Sequence, residues 1–381
     1  MPYIVVLFDR WEAFNAAFSN VDMGALVDAW QQIIQESSSV GIRIFMTGDR
    51  SCLVGRMSTL IDDKFLMRMA DASDFTNIGM NVKEVPNHLP PGRAFRSGST
   101  AESQFALLTA DPDGTAQVRA LQEIGRAAAA RIGELPAAKK PFRVDDLPTR
   151  ITVPEMFALG GARSDDTSYV PLGVGGDTLT MKHLSITEDG PTFMILGPRK
   201  SGRSNVLRLV AGHLVDADYS LLLVIPRRSP LAEFATDPHV VRTLTPEIDR
   251  DEGKEVFEQF AELTKDRTKR TAVLIDDLEL LGLDGWLVDG IEQQVKLVRD
   301  SESFVMAAGT ADDLGSSYRG PAVALKKSRS GLLLRPQQPN DGDMFGARLP
   351  RSIGSGSGNT GRALLFRSGQ WERIQVPLVE G

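Results

Sequence analysis

An apolar run, Thr192–Leu196 (TFMIL), passes through Gly197-Pro198-Arg199-Lys200-Ser201-Gly202-Arg203-Ser204 into a helix-like segment, Asn205–Leu214 (NVLRLVAGHL). A strand, a glycine-bracketed loop and a helix in this order leave few folds open. Such a loop turns its backbone N–H groups inward at a helix N-terminus and makes a nest for an anion. The loop follows the pattern G-x-x-x-x-G-K-[S/T], except that Arg203 holds the lysine position. Lysine there places a compact charge at the β/γ-phosphates, and the hydroxyl, here Ser204, ligates Mg²⁺. Arginine keeps the charge but is longer, planar and forked. The spacing therefore predicts nucleotide binding and argues against fast hydrolysis. Lys200, two positions before Gly202, is a second cation long enough to reach over the phosphates.

A second strand-like run, Thr271–Ile275 (TAVLI), ends in Asp276-Asp277. A carboxylate at the end of a buried strand beside a phosphate loop holds Mg²⁺ directly or through water. Ser204 and Asp276 are thus the candidate metal ligands. Asp277 is the candidate for orienting an attacking water, although aspartate is one methylene shorter than the more usual glutamate. Thr310 ends the strand-like Phe304–Ala308 run and is a candidate γ-phosphate sensor. Other strand-like runs (Ser220–Ile225) and helix-like runs (Gly253–Lys265, Gly290–Arg299) alternate around these. Short apolar runs alternating with helices predict a mainly parallel sheet covered on both faces, an α/β fold.

The first 135 residues repeat part of this plan. Tyr3–Asp9 (YIVVLFD) parallels Thr271–Asp276, Thr47-Gly48 parallels Gly309-Thr310, and Gly92-Arg93-Ala94 parallels Gly361-Arg362-Ala363. Lys64–Phe75 (KFLMRMADASDF, with KFLMRM read as a strand) corresponds to Ser330–Phe345. Helical spacing is visible at Gly24–Ser37 and Ala116–Ile132. Between Gly197 and Asp276 the second module spends a strand, a loop, a helix and further elements, whereas only eight residues precede Asp9. The first module is expected to be incomplete at its N-terminus, and fusion or association with the absent portion is the expected remedy. Its Asp9-Arg10 replaces the acid pair with acid and cation, so it is poorly equipped for hydrolysis. Arg50 is a candidate to reach a neighbouring module's nucleotide, while Trp11 and Phe14 read as packing residues. Proline and charge from Leu135 through Lys139-Lys140-Pro141 to Pro148 predict a linker. The domains expected are 1–135, a linker at 136–150, and 151–381.

Composition narrows the function classes. Hydrophobic residues at 42% with 24% charged exclude disorder for most of the chain. No apolar run approaches the roughly 20 residues of a membrane helix, and no signal-like leader opens the sequence. Cys52 is the one cysteine and the four histidines are scattered, which excludes a disulfide framework and a zinc cluster. A net charge of −7 disfavours a protein that coats nucleic acid. The expectation is a cytoplasmic protein with no membrane segment of its own.

VPLGVGGDTL (170–179), GPRKSGRS (197–204), TAVLIDDLELLG (271–282), GLLLRPQQPNDGDMFGARLP (331–350) and GRALL (361–365) resemble the FtsK/SpoIIIE family of motor ATPases. YIVVLFDRWEAF (3–14), VGIRIFMTGDRS (40–51) and LPPGRAFR (89–96) are the counterparts in the first module. Within that family the chain looks most like the C-terminal ATPase modules of actinobacterial type VII secretion coupling proteins (EccC/EssC-like). The resemblance implies tandem RecA-like P-loop NTPase modules, ATP and Mg²⁺ as ligands, and assembly as a hexamer with the upstream part of the same motor. It implies a membrane anchor ahead of the modules, at the inner face of the cell membrane. In that branch, later modules with imperfect motifs bind secreted substrates through a signal sequence and regulate more than they drive. Two other readings stand beside it: a DNA translocase of the same fold, binding ATP and DNA, and a non-catalytic scaffold that binds partner proteins. The acidic charge and the terminal WERIQVPLV (371–379) favour the secretion reading over the DNA one.

Overall fold

Residues 4–99, 101–136, 140, 143–159, 168–282, 285–350, 353 and 359–380 are described by a computed structural model of the chain. Tyr3 and, within the linker segment, residues 137–139 and 141–142 lie outside them. The chain separates into two units, Met1–Lys140 and Pro141–Gly381.

In unit one, β1 (Ile4–Phe8) and β2 (Ile42–Met46) pair in parallel, Ile4 against Ile42 through Phe8 against Met46. Helices α1 (Trp11–Phe18) and α2 (Ala25–Glu36) cover them. Val27, Trp30 and Ile34 share one face of α2 because they recur at helical spacing. Trp11, Val27 and Ile34 are buried, and Phe8 stacks on Trp30 with ring centroids 4.6 Å apart. Trp11 and Phe14 therefore pack the helices, as their apolar character predicts. After α3 (Gly55–Leu60), three short strands, β3 (Phe65–Leu66), β4 (Arg93–Arg96) and β5 (Glu102–Gln104), form an antiparallel sheet of their own. Helix α4 (Gly114–Ile132) is capped by Asp113, whose side chain accepts from the Thr115 amide.

Unit two is one ten-stranded sheet. After α5 (Val153–Leu159) its strands are β6 (Tyr169–Gly175), β7 (Thr180–Ser185), β8 (Thr192–Leu196), β9 (Ser220–Val224), β10 (Val240–Leu244), β11 (Thr271–Ile275), β12 (Phe304–Gly309), β13 (Gly331–Leu334), β14 (Arg362–Arg367) and β15 (Gln370–Gln375). Their spatial order is β10-β9-β11-β12-β8-β13-β14-β15-β6-β7. Pairings are parallel from β10 across to β13 and antiparallel from there to β7. Helices α6 (Arg203–Asp216), α7 (Arg250–Lys265), α8 (Trp286–Leu297), α9 (Ala311–Gly315) and α10 (Pro321–Leu325) complete it.

Strand β11 shows why both faces are covered. Ala272 and Leu274 join the core beneath α6, with Val206, Leu207 and Val210, whereas Val273 and Ile275 join the core beneath α7 and α8, with Phe257, Phe260 and Ile291. A continuous apolar run with period-two facing needs a layer on each side. The fold is α/β, a mostly parallel mixed sheet between helical layers.

The two units share a plan that the pairing makes visible. The parallel pair β1–β2 has its counterpart in β11–β12, and the antiparallel β3–β4–β5 in β13–β14–β15. In unit two β8 lies between those halves and joins them, while in unit one the described residues form two separate sheets. The likeness extends to one turn. Gly92 (φ 78°) and Gly361 (φ 82°) occupy the left-handed region that glycine adopts without strain. Gln104 donates Nε2 to the Pro91 carbonyl (3.1 Å), and Gln375 donates Nε2 to the Thr360 carbonyl (2.9 Å). The amides of Phe105 and Val376 return to the carbonyls of Gly92 and Gly361, both over 2.8 Å.

Candidate functional site

Strand β8 is buried along its whole length and delivers the loop 197–204 at its carboxyl end. In open parallel sheets, ligands bind at carboxyl ends where the strand order reverses. Here the chain leaves β8 for β9 on one side and later returns past it to β13 on the other. The Gly197 amide donates to the Gly309 carbonyl at the end of β12 (3.2 Å). A Cβ on Gly197 would stand 2.7 Å from Ser201 Oγ and 2.8 Å from the Leu334 carbonyl oxygen, so the close approach of loop and β13 requires glycine. Ser201 closes a turn onto the Pro198 carbonyl (3.2 Å), Lys200 adopts φ 61°, and Gly202, at φ 107°, starts α6. Arg199 and Lys200 are exposed at the crest.

The expected helix Asn205–Leu214 begins two residues earlier, at Arg203, because Gly202 takes the capping position. Arg203 and Ser204 therefore sit in the first turn, where helical N–H groups have no intrahelical acceptor. Ser201 is fully buried, and its Oγ has no hydrogen-bond partner among the described residues. An orphaned hydroxyl inside a loop of this shape fits an anion as its missing partner.

Below the loop is a compact set of charges. Asp276 and Asp277, at the end of β11, are 1% and 4% exposed. Ser204 donates Oγ to Asp276 Oδ2 (2.8 Å), and Ser229, after β9, donates to the same oxygen (2.6 Å). Asp277, at φ 47°, accepts on Oδ1 from Arg203 Nη2 (2.8 Å) and on Oδ2 from Arg227 Nε. The second fork of Arg203 reaches Glu279 Oε1 (3.2 Å). Glu279 also lies against β12: a Cβ on Gly309 would stand 2.7 Å from its Oε2. The hydrogen bond from Arg227 to Asp277 favours the charged guanidinium and raises the pKa of Arg227 above its ordinary value.

The structure thus gathers Ser204, Asp276, Asp277 and the loop at one place. Thr310 sits nearby at the start of α9, where its Oγ1 donates to Asp313. Ser229, Arg227 and Glu279 were not singled out in the sequence. Arg227 and Ser229 lie in a loop far from Asp276 in sequence, with no pattern of their own. Glu279 carries a faint signal, an acid two positions beyond Asp277.

In unit one the corresponding residues do less. Thr47 donates its hydroxyl to Asp9, and the Arg10 amide donates to Thr47 Oγ1 (2.9 Å). Arg10 pairs with Glu12, and Arg50 pairs with the buried Asp74 (3.0 Å).

The residues present suit Mg²⁺ with a triphosphate. Ser204 Oγ and Asp276 are hard oxygen donors in contact, and Mg²⁺ ordinarily takes one or two carboxylates and completes its shell with phosphates and water. Among the described residues no three His, Cys, Asp or Glu side chains form a cage for a metal alone. Among them no helix is long and apolar enough to cross a membrane.

No family model matches the chain. Over 377 residues it is 20% identical to the ESX secretion system protein EccC of Thermomonospora curvata, covering 93% of this chain. The chain spans 28% of the length of that relative. Its fold matches EssC (ATPases 2 and 3) of Geobacillus thermodenitrificans with a TM-score of 0.70 and 19% identity, over 100% of this chain and 72% of that one. It also matches Thermomonospora curvata EccC (ATPases 2 and 3) in complex with a signal sequence peptide, with a TM-score of 0.61 and 17% identity, over 99% of this chain and 68% of that one. In fold and in sequence, what this chain resembles is the tandem ATPase region of EccC/EssC-like type VII secretion ATPases.

Proposed function

We propose that residues 151–381 bind ATP with Mg²⁺ and turn it over slowly or not at all, as a regulatory or substrate-engaging module of a type VII secretion motor of the FtsK/SpoIIIE type. The loop Gly197–Ser204 would hold the phosphates, and Ser204 and Asp276 would hold the metal, which when bound would supply charge neutralisation to the phosphates. One observation carries the lack of turnover. Both oxygens of Asp277 accept from arginines, so the acid in the water-orienting position is held in place and its charge is neutralised by two cations. The same bond ties Arg203 to carboxylates rather than leaving its charge to the phosphates. Binding and hydrolysis are separated by residues the site already contains.

The secretion context rests on the likeness to EccC and EssC. By that likeness the chain works beside the upstream part of the same motor and further ATPase subunits in a hexamer. It engages secreted proteins through a signal sequence, at the inner face of the membrane. Titrating the full chain with MgATP by calorimetry, and following phosphate release on the same sample, tests the proposal. Saturable binding with release near the protein-free rate supports it; no binding at millimolar MgATP overturns it.

A further inference from the structure

Unit one leaves open an apolar face that unit two keeps covered. With Asp9 set against Asp276, Val5 and Leu7 of β1 answer to Ala272 and Leu274 of β11. Phe45, the partner of Leu7, then answers to Met306, the partner of Leu274. The shared Gly-Arg-Ala turn sets Leu66, which pairs with Phe95, against Leu333, which pairs with Leu364. Phe65 and Met67 on either side of it answer to Leu332 and Leu334. In unit two these five counterparts are 0% exposed and belong to one core with Val206, Leu207 and Val210 of α6. In unit one Val5, Leu7, Phe45, Phe65 and Met67 are 44–79% exposed.

The opposite face of the same strands is finished. Phe8, Ile44 and Met46 pack with Trp11, Val27 and Ile34, and Leu66 is buried with Phe75 and Phe95. Alternation along a strand sends neighbouring side chains to opposite faces, so one set is covered and the other meets solvent. Phe65 is the partial exception, its ring leaning on Phe105 with centroids 5.6 Å apart. Two positions of the open face differ in kind: Arg43 and Arg96 stand where unit two has Phe304 and Leu365. Arg96 pairs with Asp63 (2.7 Å). Arginine stems lie along apolar surface while the charge stays in water, so neither position excludes an apolar guest.

The strand edges bordering this face are open too. Among the described residues β2 pairs with β1 alone, and β3 with β4 alone. Their counterparts β12 and β13 both pair with β8, in parallel. Open edges beside an exposed apolar face invite another strand. Unit two shows what satisfies them: an apolar strand parallel to both edges, a glycine turn, and a helix laid back across the face. A second copy of this chain does not meet that need. Edge strands joined about a twofold axis run antiparallel, and the copy's own β8 and α6 are already packed into its unit two.

We propose that unit one is the receptor for a strand–loop–helix segment of a partner polypeptide, of the character of Thr192–Asp216. The guest strand is apolar throughout and enters between β2 and β3, parallel to both. Its helix covers the five exposed side chains, as α6 covers their counterparts. Its loop arrives at the carboxyl end of β1, beside Asp9, which accepts from the Thr47 hydroxyl. Docking there does not depend on nucleotide binding by unit two.

The probe is a labelled synthetic peptide of residues 190–217 of this chain, added to the full chain and followed by fluorescence anisotropy. Saturable binding is expected, with slowed hydrogen exchange in β2 and β3. Leu7→Glu and Phe45→Glu change side chains already exposed, so the free chain should fold unaltered, and each is expected to weaken binding by about tenfold or more. A free peptide must order itself on binding. The same segment is therefore also joined ahead of residue 1 through a flexible Gly/Ser linker, which raises its effective concentration into the millimolar range. Protection of β2 and β3 in that fusion, removed by Leu7→Glu, supports the docking even where the free peptide binds weakly. No protection in either format overturns it, as does binding that Leu7→Glu leaves unchanged. Self-association of the chain alone in sedimentation, abolished by Leu7→Glu, names a second copy as the occupant and overturns it as well.

Discussion

The Nη2 of Arg203 lies 2.8 Å from Oδ1 of Asp277, with both side chains 6% exposed. This contact joins the first turn of α6 to the end of β11, and the Arg203–Glu279 bond (3.2 Å) doubles it. Charge that a lysine would present to phosphate is here neutralised inside the protein.

Truncating that arginine leaves Glu279 and one oxygen of Asp277 buried beside each other without a cation. Removing one partner of a buried pair costs about 3–5 kcal/mol. Arg203→Ala is expected to lower the unfolding free energy of unit two by that amount in urea titrations. A loss below about 1 kcal/mol, the range of exposed pairs, would contradict the burial of the contact.

Arg203→Lys keeps the charge but cannot fork between Asp277 and Glu279. Because Arg227 still holds the other oxygen of Asp277, the single change is expected to leave hydrolysis slow. Combining it with Arg227→Gln frees the acid, and phosphate release should rise about tenfold or more above the wild type, a barrier change of about 1.4 kcal/mol. A double variant no faster than the parent would mean that Asp277 is not the limiting group.

Asp276 Oδ2 accepts from Ser204 and Ser229 together. Asp276→Asn is expected to weaken MgATP binding by about tenfold while changing metal-free ATP binding less, since the carboxylate acts through Mg²⁺. Equal losses with and without the metal would remove Asp276 from the metal's shell.

Two histidines give opposite pH signatures. His239 contacts Asp237 and Asp218, which raise it above its usual 6.5; its contribution is full below that value and fades as pH rises through the folded pKa. His183 is lowered, first by burial and then by Arg367, so the folded state resists its protonation and loses stability as pH falls below 6.5. In thermal melts from about pH 8 to 5.5, His239→Gln should steepen the loss on acidification and His183→Gln should flatten it. The same slope in all three proteins would contradict both contacts.

The sequence carried the strand, loop and helix of the site because local periodicity and glycine placement determine them. The segment Lys64–Met69 reads as a strand of six residues, yet only Phe65 and Leu66 pair. Its counterpart Gly331–Leu334 is held on both sides, by β8 and β14, and is strand throughout. Strand length follows the partners available, which apolar pattern does not encode. The Arg203–Asp277–Arg227 arrangement was hidden for a related reason: its members come from three separate segments, and only the sheet order brings them together. Arg362 was legible as part of a repeat, but its hydrogen bonds to the carbonyls of Leu147 and Pro148 were not.

The central claim is that a nucleotide site is present and its hydrolytic acid is occupied. Single-turnover measurement on the full chain, with protein in excess over radiolabelled MgATP, tests it most directly. The account predicts that the nucleotide is retained on the protein intact, with cleavage no faster than in buffer. Cleavage by the wild-type chain at about 1 s⁻¹, within the ordinary range of enzymes, would contradict it.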